Sequence, residues 1–304
     1  SDANGMVDRN REQRNHFAMM PVDLRKCCDD ARNAALLAWE KIAHFHRGSF
    51  QLIEKKGEGP ATEADLLADK VIVDYLSQRH DGNSFGFLTE ETESDSSRLS
   101  KPCCWIIDPI DGTRDFIEGR ADFAIQIGLS GLGDSAGQEP LMGVVFLPVH
   151  GILFAGYRGA GAWREDLRAG TKTPVAVSKL DDVKALRLVA TRSHWGHRMT
   201  ALVERLQPKH MSRRGSLGVK VCDVVDDVAD AYINTARSQC KEWDTCAPHA
   251  ILAEAGGVLT DLKGDAVRYN KQKYHIEYGL LASNAALHGK LVEIVRSIPA
   301  LWQD

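Results

Sequence analysis

The chain has no CxxC spacing, no apolar run long enough to span a membrane and no marked excess of one charge. Its seven cysteines include the adjacent pairs Cys27-Cys28 and Cys103-Cys104 and form no framework. An odd count of this kind points to reduced thiols and a cytoplasmic setting. Without clustered Cys and His there is no case for zinc. A net charge of −4 gives no reason to expect nucleic-acid or membrane binding. No secretory h-region opens the chain. Ser1 to Arg14 is polar, and Ser1-Asp2-Ala3 before Met6 reads as an expression remnant. No internal repeat or low-complexity segment stands out. At 304 residues the chain is long enough for one large or two smaller domains.

What is present is a strand that ends in acid: Trp105-Ile106-Ile107-Asp108-Pro109-Ile110-Asp111-Gly112-Thr113. Trp105 to Ile107 are apolar and partly β-branched, as in a strand covered on both faces. Pro109 has no N–H and is expected to end the ladder. Gly112 permits a tight turn after Asp111. Asp108 and Asp111 then lie together at the strand's carboxyl end, where two carboxylates repel unless a proton or cation intervenes. An all-oxygen ligand set suits Mg²⁺, which leaves room for a phosphate. The competing reading is a surface Asp-Gly hairpin turn, which fits poorly with so apolar a strand and an internal proline.

Two further acidic elements frame this one. Phe85 to Glu91 reads as a short strand ending in Glu90-Glu91. From Glu242-Trp243-Asp244 to Gly256-Gly257, residues Ala247, Ile251, Leu252 and Ala255 share a helical face, with the glycine pair as its stop. Asp244 at the helix start is either an N-cap or a metal ligand. The segment Thr62-Glu63-Ala64-Asp65 opens an amphipathic helix, Thr62 as N-cap and Asp65 in the first turn.

The remaining pattern mixes strands and helices, an α+β chain in layers. Helices are expected over 22–50, 60–78, 200–206, 216–229 and 288–296. Strands are expected over 84–88, 104–107, 121–129, 186–191, 232–234, 258–260 and 279–282. Residues 141–163 read as a hairpin turned at Pro148-Val149-His150-Gly151, and 171–182 as a linker. The division is 1–180, an α+β half carrying most of the candidate metal ligands, and 181–304, an α/β half carrying the candidate substrate pocket and Asp244.

Together the Glu-Glu, the Asp-Pro-Ile-Asp-Gly-Thr run and the Trp-Asp before a Gly-Gly-terminated helix resemble the inositol monophosphatase superfamily, over roughly Pro60 to Asn284. The resemblance implies an αβαβα sandwich of the inositol monophosphatase/fructose-1,6-bisphosphatase type and a lithium-sensitive Mg²⁺ phosphatase. By position the metal ligands would be Glu90, Asp108, Asp111, Asp244 and the carbonyl of Ile110. Asp65 and Thr113 would orient the metal-activated water and take its proton, and Gly112 and Thr113 would hold the phosphate.

Within the superfamily, Arg114-Asp115-Phe116, Thr191-Arg192-Ser193-His194 and Gly215 to Lys220 are most similar to the 3′(2′),5′-bisphosphate nucleotidases. That likeness places Thr191, His194, Gly215, Ser216 and Lys220 around a nucleotide, with Lys220 on the retained 5′-phosphate away from the metals. The implied reaction is hydrolysis of the 3′-phosphate of 3′-phosphoadenosine 5′-phosphate to AMP and phosphate. The alternatives are an inositol or sugar monophosphatase, or an inactive metal- or nucleotide-binding regulator on the same fold. The expected partner is a small adenosine bisphosphate, and a homodimer is left open.

Overall fold

The computed structural model describes residues 22–46, 48, 52–55, 59–92, 95–132, 138–192 and 195–303, with the backbone alone at 52–55 and 59–61. The chain opens with α1 (Leu24–Ile42), the short hairpin β1 (Leu52–Lys55) and β2 (Gly59–Thr62), and α2 (Glu63–Ser77). There follow β3 (Phe85–Thr89), β4 (Cys103–Asp111), the short helix α3 (Thr113–Ile117), β5 (Ala124–Leu132), β6 (Gln138–Leu147), β7 (Ile152–Tyr157), β8 (Gly161–Asp166) and β9 (Thr171–Val175). Strands β3 to β9 form one sheet in sequence order, parallel at β3/β4 and antiparallel thereafter.

The rest comprises β10 (Arg187–Thr191), α4 (His197–Leu206), β11 (His210–Arg214), α5 (Leu217–Val225), β12 (Ala231–Asn234), β13 (Cys240–Lys241), α6 (Glu242–Glu254), β14 (Gly257–Thr260), β15 (His275–Ile276), β16 (Leu280–Asn284) and α7 (Ala285–Arg296). A second sheet runs in the order β11-β10-β12-β16-β14. Three hydrophobic clusters alternate with the sheets. One joins α1 and α2 to the first sheet. One, carried by α5 and α6, lies between the two sheets. The third joins α4 and α7 to the outer face of the second. This is the expected α+β sandwich of αβαβα layers.

Layering explains the composition of β4. All nine of its residues are buried, because helices cover both faces of the sheet, so no polar alternation appears. The middle layer also needs a close approach. A Cβ on Gly143 would lie 2.0 Å from the carbonyl oxygen of Ala247 in α6. The bare backbone there lets α6 rest on the sheet and carries Asp244 toward the end of β4.

The structure amends several expectations. Pro109 interrupts the β4/β5 ladder without ending the strand. Pairing skips from Asp108↔Gln126 to Asp111↔Ala124, a bulge that absorbs the missing donor and turns the strand's end. Residues 171–175 of the expected linker are the edge strand β9. Strand β11 was not expected, and α5 stops at Val225 rather than at Ala229. All seven cysteines are free and buried. No helix among the described residues is long and apolar enough to cross a membrane.

Candidate active site

The acidic end of β4 meets the N-termini of two helices. Asp108, Asp111 and Asp244 each bring a carboxylate oxygen to within 4.8 Å of the others. Asp108 and Asp111 are buried, while Asp244 is partly exposed. The bulge at Pro109 makes this possible: Ile110 N–H folds back onto Asp108 Oδ1 at 3.1 Å, and Gly112 turns the chain at φ +100°, a conformation that favours glycine. Asp244 comes from the second sheet's side, in the first turn of α6, with its Oδ2 on Lys241 N–H at 2.7 Å.

Packing three carboxylates together perturbs all of them in one direction. Burial, then the charges of Glu90, Asp111 and Asp244, holds the Asp108 carboxyl well above its ordinary range. Burial also raises Asp111, against the hydrogen bonds it accepts. Burial and the charge of Asp111 push Asp244 up to about 7. Glu90 adds its negative charge to the cluster, one of the causes that hold Asp108 up. A divalent cation among them would relieve that repulsion. The donors are oxygens only, the choice that suits Mg²⁺, and the Ile110 carbonyl lies on the same turn.

Beside the cluster, Thr113 Oγ1 lies 3.2 Å from Asp65 Oδ1 and 3.2 Å from the Ile110 carbonyl. Asp65 is fully buried. Its other oxygen accepts the Thr62 N–H at 2.7 Å, completing a capping box at the start of α2. Burial raises its carboxyl above the ordinary range although Thr62 and Thr113 pull it down.

The residues assigned to a nucleotide separate into two groups. Thr191, at the end of β10, lines a cavity of about 390 Å³ with Trp195, His197, Arg198, Asn234 and Gln239. His194 lies outside the described residues. Gly215, Ser216 and Lys220 follow Arg214, the strand partner of Thr191, and reach the root of the acidic cluster. A Cβ on Gly215 would collide with the Asp115 carboxylate. Ser216 is the N-cap of α5 and donates to Asp111 through its Oγ. Lys220 was expected to stand away from the metals on a 5′-phosphate. It is instead buried, with Nζ on the Gly215 carbonyl at 2.7 Å. Burial lowers its pKa, and the charges of Asp111 and Asp244 push it back up. The reason is the middle layer: α5 is sandwiched between sheets and has no solvated face.

Two residues of the site were not anticipated. Gln126, in β5, donates to Asp111 Oδ2 at 2.6 Å. Glu242 is fully buried and accepts the Asn270 and Lys271 N–H groups at 2.6 and 3.0 Å. Arg98 grips the same loop through Asn270 and the Lys271 carbonyl, so the start of α6 is tied to the first sheet. Burial pushes Glu242 up to about 7.

Comparison with known proteins gives a consistent picture. The model of the "Inositol monophosphatase family" matches residues 25–300. The 3′(2′),5′-bisphosphate nucleotidase CysQ of Aggregatibacter actinomycetemcomitans is 28% identical over 261 residues, 84% of this chain and 91% of that protein. Among solved structures, CysQ from Bacteroides thetaiotaomicron has a TM-score of 0.70 at 27% identity, covering 87% of this chain and 99% of its own. The extragenic suppressor protein suhB from Bartonella henselae has a TM-score of 0.73 at 23% identity, covering 88% and 98%, a likeness of fold.

Proposed function

Because the chain belongs to the inositol monophosphatase family, we propose that it is a Mg²⁺-dependent phosphatase that removes the 3′-phosphate of 3′-phosphoadenosine 5′-phosphate, giving AMP and phosphate. The observation that carries this reading is the convergence of Asp108, Asp111 and Asp244 within 4.8 Å, with the Thr113–Asp65 pair beside them. The names of the similar nucleotidases favour the nucleotide substrate.

Asp108, Asp111, Asp244, Glu90 and the Ile110 carbonyl would hold the cation, which supplies charge neutralisation and Lewis-acid polarisation when bound. Thr113 donates to Asp65, so its oxygen is free to accept from the attacking water and set its direction. The raised pKa of Asp65 suits it to take the proton that the water loses. Water adds to phosphorus, the bond to the ribose 3′-oxygen breaks, that oxygen takes a proton from solvent water, and Asp65 returns its proton to solvent as AMP and phosphate leave. The backbone N–H groups of Gly112 and Thr113 are proposed to hold the phosphate oxygens. The Thr191–His194 segment and its cavity are proposed to take the nucleoside and the retained phosphate. Gly215, Ser216 and Lys220 are proposed to act from the side of the acidic cluster, since Ser216 holds Asp111 and Lys220 holds the Gly215 carbonyl. Li⁺ inhibition is expected with this site.

A rate panel tests the reading. The adenosine bisphosphate should be hydrolysed fastest when compared with inositol 1-phosphate and fructose 1,6-bisphosphate in Mg²⁺. A preference for either of the other two would make this an inositol or sugar phosphatase. No hydrolysis of any of them would favour a binding regulator.

A further inference from the structure

Asp111 approaches the site with one oxygen already taken. Its Oδ2 accepts from Ser216 Oγ, from Gly218 N–H at 2.7 Å and from Gln126 Nε2 at 2.6 Å. Its Oδ1 receives only the long contact from Leu217 N–H at 3.3 Å. Three of these donors belong to the first turn of α5. The fourth, Gln126, comes from the opposite side.

Gln126 is a conspicuous residue in its strand. It is fully buried in a run of Ala124, Ile125, Ile127, Gly128 and Leu129. Its amide nitrogen is used, but its Oε1 is buried without a hydrogen-bond partner, a state that costs stability. The reverse amide orientation would set two oxygens 2.6 Å apart, so the nitrogen must face Asp111. A leucine of similar size would carry no such cost. The neighbouring chain is shaped around the amide as well: a Cβ on Gly218 would lie 2.8 Å from the Gln126 amide carbon.

We propose that Gln126 is a positioning residue that pins Asp111 Oδ2, so that Asp111 presents Oδ1 alone to a divalent cation shared with Asp108 and Asp244. Without it, every donor left on Asp111 belongs to one turn of one helix, and nothing holds Oδ2 from the opposite side. The inference rests on the metal-site reading above.

The test is Mg²⁺ titration by calorimetry, with thermal melts in EDTA and in Mg²⁺, on the wild type, Gln126→Leu and Gln126→Asn, all without substrate. Both variants should bind Mg²⁺ about tenfold more weakly. The Leu variant in EDTA should melt at or above the wild-type midpoint, because the unpartnered oxygen is gone. Wild-type affinity in the Leu variant overturns the proposal, as does a lowered midpoint in EDTA with unchanged affinity, the pattern of a purely structural glutamine. Should the Leu variant not fold, Gln126→Asn decides alone. It keeps a buried amide but is one methylene too short to reach Asp111, and unchanged affinity there overturns the proposal. A wild type that binds no Mg²⁺ overturns the metal reading itself, and this inference with it.

Discussion

Asp65 and Asp244 occupy the same place in two helices. Each is the third residue of its helix, and each takes the N–H of the residue before the helix at 2.7 Å. That bond fixes one carboxylate oxygen and aims the other. The surroundings then differ. Asp65 is closed off and faces a hydroxyl. Asp244 faces Asp108 and Asp111 and is pushed up to about 7 by burial and by Asp111. One local device thus serves two kinds of chemistry: a carboxylate held against a hydroxyl can manage a proton, and one held against carboxylates can share a cation. What distinguishes them is the partner that the tertiary structure delivers.

The largest effect should come from the cation side. Asp108→Asn or Asp244→Asn removes a charge without removing bulk. Each should lower kcat by roughly 10²–10³-fold, from the several kcal/mol that a bound metal supplies, and should weaken Mg²⁺ binding in calorimetry. Near-wild-type turnover would end the distinction drawn above.

On the proton side, Thr113→Ala and Asp65→Asn should each lower kcat about a hundredfold, with little change in KM. Mg²⁺-induced stabilisation should survive in both. If the two act as a unit, the double variant should be little worse than either single one. Loss of the Mg²⁺ response in Asp65→Asn would mean that both carboxylates do the same work.

A smaller effect separates them by pH. In metal-free protein the folded pKa values of Asp108, Asp111 and Asp244 lie above the ordinary value. The folded state therefore holds protons more tightly than the unfolded chain. That contribution is full below pH about 4 and is lost as pH rises toward about 7, the value for Asp244. The EDTA-treated protein should accordingly melt lower at pH 8 than at pH 5.5, and Asp244→Asn should reduce the difference. A melting midpoint that does not change over this range would contradict the repulsion inferred for the cluster.

The smallest effect concerns the caps themselves. Thr62→Ala should cost about 1 kcal/mol of stability and leave Mg²⁺ affinity unchanged, as read by denaturant titration and calorimetry.

Much of this site is local in sequence and was legible there. Asp108 to Thr113 lie within one strand end, and Thr62-Glu63-Ala64-Asp65 is a capping pattern in its own right. Lys241 is no capping residue, so the matching box at Asp244 could not be read. Strands β9 and β11 escaped because they are exposed edges, Thr171–Val175 and His210–Arg214, with no apolar face to mark them. The burial of Lys220 was not legible, because a helix buried on all sides has no period that tells a buried lysine from a solvated one. Gln126 left a trace, a single amide in an otherwise apolar strand, but its partner lies fifteen residues away across the bulge. The pairing of Glu242 with the 270–271 loop is a tertiary contact with no local signature.

The most direct test of the account is phosphate release from 3′-phosphoadenosine 5′-phosphate by the wild-type protein, measured in Mg²⁺ and again after exhaustive EDTA treatment. The account predicts AMP and phosphate in Mg²⁺, almost none in EDTA, and recovery when Mg²⁺ is returned. Equal release with and without the cation, or none under either condition, would contradict it.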